Sequence, residues 1–150
     1  MTTIFVDTSA LGRRYLREIG SSWTLTWILR AAGNVIGIAE ITPIEMFSTF
    51  ARLLRENVYM ASDITSMQNN LLLDVENEYL PIPLEPSILL QARTLVTRHP
   101  LRTLDAIQLA SALNLAAFSG DPVTFISGDS RLLAAAAVEG FPTDNPYLHQ

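Results

Sequence analysis

The 150-residue chain is 49% apolar, contains no cysteine and carries a formal net charge of −5. Such totals describe one globular domain spanning residues 1–150 and able to bury a core, and they exclude a disordered tail, a disulfide scaffold and a Cys-ligated zinc site. The acidic balance also excludes a grip on nucleic acid through bulk positive potential, although locally concentrated arginines could still make one.

In chain order, the first strand-like run is Thr3–Val6, followed by helical periodicity over Ser9–Glu18 and Ser22–Ala32, with Gly20 and Gly33 where helix C-caps fall. A second strand, Val35–Ile38, leads into helices over Pro43–Glu56 and Ser62–Tyr79. A third, Leu80–Leu84, leads into helices over Ser87–Arg98 and Thr103–Phe118. Gly120-Asp121-Pro122 breaks the chain before a last strand, Val123–Ile126, and a last helix, Ser130–Glu139. Short apolar strands alternating with longer helices predict βαβ crossovers and a short, mainly parallel sheet covered on both faces. The acidic run Asp74, Glu76 and Glu78 reads as a solvated helix face. No apolar run reaches the roughly 18 residues that span a bilayer. The N-terminus enters a strand pattern directly, so neither a signal peptide nor a membrane partner is expected, and the location expected is cytoplasmic.

The chemistry is narrowed by what the chain lacks. All ten basic residues are arginine, and the only histidines are His99, before a proline, and His149, beside the C-terminus. Both are expected on the surface, remote from any site. Catalysis without Cys, Lys or His leaves carboxylates and a bound metal. Asp7 closes the first strand in "TTIFVDTSALGRRYL". Asp129 closes the last, in "FISGDSRLLAAA". Glu45, in "ITPIEMFSTF", and Asp105, in "LRTLDAIQLASAL", each lie in the first turn of a helix. In a parallel sheet, strand C-termini and the helix N-termini that follow them share one edge, where open α/β sheets bind ligands; Asp105 is tied to that edge less directly, because a helix precedes its own.

Each acid also fits a local role. Asp7 and Asp129 suit helix N-caps, Glu45 completes a capping box with Thr42 and Pro43, and Asp105 suits the positive end of a helix dipole. Four separate caps do not explain why the acids follow such apolar strands or open such apolar helices. Converging carboxylates repel one another, and a divalent cation relieves that. With oxygen ligands alone, Mg²⁺ or Mn²⁺ is the ion expected, able to generate a hydroxide nucleophile and to neutralise phosphodiester charge.

The ordered set "FVDTSAL", a mid-chain Glu opening a helix, "LRTLDAIQLASAL" and "FISGDSRLLAAA" resembles the PIN-domain ribonucleases, and among them the VapC toxins of toxin–antitoxin pairs. The likeness runs from Ile4 to about Pro146. It implies a PIN-like three-layer α/β/α sandwich and a metal-dependent endoribonuclease whose acidic site maps onto Asp7, Glu45, Asp105 and Asp129. Ser9 and Ser127 would orient those carboxylates from behind, and Arg13 would contact a substrate phosphate, although it also reads as a solvated helix arginine beside Arg14 and Arg17. Gly128 departs from the pattern, standing where a larger small residue is usual. The resemblance further implies Mg²⁺ or Mn²⁺ as cofactor, RNA as substrate, a homodimer and an antitoxin partner.

Other readings fit less well. A phosphotransferase of the haloacid-dehalogenase type wants a second Asp where this chain has Ser9, and it and the response regulators want a late basic residue, usually Lys. A non-catalytic PIN-like RNA-binding or scaffold domain typically loses acids that this chain keeps. A DNA-flap or Holliday-type nuclease needs duplex-gripping elements for which 150 residues leave no room.

Overall fold

The computed structural model describes residues 1–150. Five parallel strands, β1 (Thr3–Val6), β2 (Val35–Ala39), β3 (Tyr79–Ile82), β4 (Val123–Ile126) and β5 (Thr143–Asp144), pair in the order β3-β2-β1-β4-β5. Seven helices connect them: α1 (Thr8–Tyr15), α2 (Ser21–Ile28), α3 (Thr42–Arg55), α4 (Ala61–Asn77), α5 (Pro86–Arg98), α6 (Thr103–Ser119) and α7 (Ser130–Val138).

Alternation along the strands divides the core into two layers. Ile4 and Val6 of β1, Ile36 and Ile38 of β2 and Ile126 of β4 face α1–α4, where Leu11, Ile28, Met46, Phe50, Ile64 and Leu71 meet them. Phe5, Ala39, Ile82 and Phe125 point to the opposite face, against Ile88 and Leu95 of α5, Leu109 and Leu115 of α6 and Leu132 of α7. The result is the three-layer α/β/α sandwich expected, and its sheet is wholly parallel. No helix is long and apolar enough to cross a membrane.

Local departures have local causes. Tyr79, read as the end of α4, instead opens β3, and Pro81 is tolerated there because β3 is an edge strand. Gly20 does not close α1 but precedes α2 with φ +86°, and Gly33 closes a 3₁₀ turn, Arg30–Ala32, into which the predicted second helix breaks. The two-residue β5 was not expected, since nothing apolar or alternating marks it.

The acidic run on α4 is not merely a solvated face. Only Glu76 is exposed. Tyr15 Oη donates to Asp74 (2.7 Å) and lies 2.7 Å from Tyr79 Oη, while Arg14 pairs with Asp74 (3.2 Å) and Glu78 (2.9 Å) and donates to Tyr79 Oη (2.9 Å). Burial pushes the Tyr79 hydroxyl up to about 12 and raises that of Tyr15. Burial would lower the Arg14 pKa, but the bond to Glu78 and the flanking tyrosines and Asp74 outweigh it and raise it. Arg14→Ala strands two half-buried carboxylates against two phenols, so a stability loss of about 1–3 kcal/mol is expected in urea unfolding. An unchanged midpoint would show that the cluster contributes nothing to the join between α1 and α4.

The histidines also differ from expectation. His99 is largely buried and sits 2.7 Å from Glu139, whose carboxyl is further held by Arg98. His149 stacks on Trp23 with ring centroids 3.9 Å apart. Both rings bridge separate elements, His99 joining the end of α5 to the residue after α7 and His149 joining Asp144 of β5 to Trp23 of α2.

Candidate active site

The order β3-β2-β1-β4-β5 reverses direction between β1 and β4, so the connections leaving these two strands diverge and open a crevice at their C-terminal ends. Val6 pairs with Ile126, which puts Asp7 beside Ser127. Asp7, Glu45, Asp105 and Asp129 all line one cleft of about 600 Å³ at this edge, together with Ser9, Arg13, Arg52 and Gln108.

Asp7 is 5% exposed. Its Oδ1 accepts from Ser9 Oγ (2.8 Å) and from the Ala10 amide (3.1 Å), and its Oδ2 accepts from Ser127 Oγ (3.0 Å). It therefore does cap α1, but three bonds leave lone-pair capacity on a carboxylate facing the cleft. Burial pushes its pKa up to about 6 despite the bonds from Ser9, Ala10 and Ser127, with Asp105 adding to the rise. Asp129 likewise caps α7, accepting from Arg131 N (2.9 Å) and Leu132 N (3.3 Å) through Oδ1, while its own amide donates to Ser127 Oγ (2.9 Å). Ser127 thus ties the first acid to the last. Ser9 closes the same ring, since its Oγ also accepts from the Gly128 amide (2.9 Å).

Glu45 does not complete the capping box. No side chain caps α3, and Thr42 lies within the helix, fully buried. Glu45 Oε1 instead accepts from Thr8 Oγ1 (2.8 Å) and Gln108 Nε2 (2.8 Å), and Gln108 Nε2 also reaches Thr42 Oγ1 (3.0 Å) and Thr8 Oγ1 (3.1 Å). Thr8 and Gln108 went unnoticed in the sequence, although a lone Gln within the apolar run of α6, three residues beyond Asp105 and so on its face, was a readable signal. Asp105 is half-buried; burial raises its pKa, Asp129 and Glu45 raise it further, and Arg102 partly offsets them.

Arg13 edges the cleft but is only 6% exposed. Its Nη1 donates to the Ser9 carbonyl (2.6 Å) and pairs with Glu18 (3.1 Å), and its Nε donates to the Ile19 carbonyl (3.2 Å). Arg52, more than half exposed, is the freer cation on the same cleft.

Residues 4–138 match the PIN domain. The chain belongs to the PIN domain family. No curated protein matches its sequence. Among solved structures, this PIN domain superposes on PAE2754 from Pyrobaculum aerophilum with a TM-score of 0.66 at 18% identity, covering 98% of this chain and 85% of that one. VapBC2 from Rickettsia felis, solved on a DNA fragment from its promoter, gives 0.64 at 13% identity, with 95% and 98% covered. A toxin–antitoxin complex from Klebsiella pneumoniae gives 0.63 at 18% identity, with 97% and 98% covered. At such identities the likeness is one of fold.

The donor set of this PIN domain suits a hard divalent cation in kind: oxygen ligands only, and two carboxyls, Asp7 and Asp105, whose charged forms burial and acidic neighbours disfavour more than their polar partners support. No three acids are arranged as a finished cage. The fit to the ion is therefore one of donor chemistry, oxygen ligands lining one cleft, and not of a closed ligand group.

Proposed function

We propose that this PIN domain is an Mg²⁺- or Mn²⁺-dependent endoribonuclease and the toxin of a VapBC-type pair. The observation that carries the reading is the meeting of Asp7, Glu45, Asp105 and Asp129, drawn from four different segments, on one cleft. Asp7 and Asp129 would hold the metal, and Glu45 and Asp105 would complete its ligand set. When bound, the ion supplies Lewis acidity: it activates water and neutralises charge on a phosphodiester.

The chain's own residues prepare this. Ser9 and Ser127 fix the rotamer of Asp7, leaving part of its lone-pair capacity unspent. Gln108 and Thr8 hold Glu45 by one oxygen and leave the other without a side-chain partner. Asp105, its proton affinity raised by burial and by Asp129, holds its proton to higher pH than a free aspartate does. Arg52, more than half exposed, is the cation available to substrate phosphates, which is how a chain of net charge −5 would still grip RNA locally, whereas Arg13 is 6% exposed and engaged by Ser9, Ile19 and Glu18. An antitoxin partner is supported by the fold shared with a toxin–antitoxin complex and with VapBC2; a homodimer rests on the resemblance to VapC toxins.

Millimolar Mn²⁺ is expected to raise the melting temperature by several degrees, since binding to the native state alone adds RT ln(1 + [L]/Kd), about 2.7 kcal/mol at a hundredfold excess over Kd. EDTA should leave the protein folded on its apolar core. The same protein should cut single-stranded RNA with Mg²⁺ or Mn²⁺ and not with EDTA. A melting temperature indifferent to Mn²⁺, together with intact RNA, would instead favour a non-catalytic RNA-binding or scaffold domain.

A further inference from the structure

The Arg13 guanidinium is a buried cation whose only carboxylate partner, Glu18, is 42% exposed, and its Nη2 has no hydrogen-bond partner. Such a group is costly to bury unless something else compensates it. Here the ring of Tyr147 lies over it, 4.6 Å from the guanidinium carbon to the ring centroid, offering its electron-rich face. Tyr147 sits in a short 3₁₀ turn, Pro146–Leu148, that follows β5 and crosses the start of α2. The turn is seated at several points. Gly20 carries no Cβ where one would collide with the Pro146 carbonyl, Asn145 Oδ1 accepts from the Tyr147 amide (2.9 Å), and His149 is held between Trp23 and Asp144.

From Arg13 the contacts lead into the acidic cleft. Nη1 fixes the Ser9 carbonyl, and Ser9 Oγ serves both Asp7 and the Gly128 amide. At Gly128 a Cβ would stand 3.4 Å from both Ser9 Oγ and Tyr147 Cε2 and 3.8 Å from Arg13 Nη1. The glycine that departs from the family pattern is thus the point where ring, guanidinium and serine close on one another, and a Cβ there would sit in contact with all three.

We infer that Tyr147 is a positioning residue: its ring holds Arg13, and Arg13 holds the Ser9 segment that sets Asp7 and the turn leading to Asp129. The inference rests on the nuclease reading only for its activity readout; the geometry is read separately by amide exchange.

The test uses the full chain carrying Tyr147→Ala, Tyr147→Leu or Tyr147→Phe. With the ring face gone, Ala and Leu should lower kcat for RNA cleavage by about tenfold to a hundredfold with KM within about twofold, while Phe restores kcat. In EDTA, the Gly128 and Ala10 amides should exchange faster in the Ala and Leu variants than in the Phe variant and the parent. If Ala fails to fold, Leu is the variant read, because it keeps the apolar cover without the ring. Parent-like exchange and kcat in the Leu variant would overturn the proposal, as would equal losses in Phe and Leu. A parent protein that cuts no RNA would sink the nuclease reading alone, and accelerated exchange confined to Ala and Leu would still support the positioning role.

Discussion

Asp7→Asn is expected to abolish RNA cleavage, by about a thousandfold or more, while leaving a protein that is folded and, without metal at neutral pH, more stable than its parent. The amide is nearly isosteric. Its oxygen can keep the bonds from Ser9 and Ala10, and its NH₂ can donate to Ser127 Oγ in place of the bond Asp7 Oδ2 accepts. What it loses is the charge a divalent cation needs. The stability gain follows from the sign of the pKa shift. Asp7 is raised by burial from 3.8 to about 6 in the folded protein. Between those values the folded state keeps a proton that the unfolded state has released, so parental stability falls as pH rises through this window and stays lower above it. The shift corresponds to about 3 kcal/mol, and Asn never incurs it. Urea unfolding in EDTA at pH 4 and 7.5 measures the difference. Asp105, shifted the same way, adds a slope common to both proteins, so the diagnostic quantity is the gap between parent and variant. Parental cleavage rates in Asp7→Asn would refute the assignment of Asp7, and a gap that does not widen with pH would refute the account of its burial.

Phe125→Ala is expected to show the converse: a loss of about 3–5 kcal/mol in stability, lowering the melting temperature by about 10 °C, with cleavage per folded molecule little changed at low temperature. Phe125 has no exposed surface and lies on β4 beside β1. Its ring stacks on Phe5 (5.5 Å) and tilts against Phe141 (5.7 Å), so truncation opens a cavity that the neighbouring strands cannot close without leaving their ladder. The face it occupies is opposite the layer formed by α1–α4, and its side chain does not line the cleft. Calorimetry beside single-turnover cleavage separates the two effects. A loss below about 1 kcal/mol would mean that this layer repacks freely.

By itself the sequence determined the sandwich, because the pattern that specifies it is local. Runs such as Ile4-Phe5-Val6 and Thr124-Phe125-Ile126 are too short and too apolar for anything but buried parallel strands, and the helices between them leave only crossover connections. It also determined where to look for chemistry, since Asp7 and Asp129 end apolar strands and a chain with neither Lys nor Cys leaves acids to act. Tertiary structure decided what depends on contacts between residues distant in the chain. Thr42 and Glu45 read as a capping box, yet Gln108, 63 residues beyond Glu45, takes hold of both. Asp74 and Glu78 read as a solvated face until Arg14 and Tyr15 reach them across more than fifty residues. Tyr147, in a turn with no periodicity to mark it, lies on Arg13 because β5, just before it, joins the sheet edge. A period or a cap signals itself within a few residues, whereas a hydrogen bond or a ring over a cation is selected by which side chains the finished fold brings within about 3–6 Å of each other.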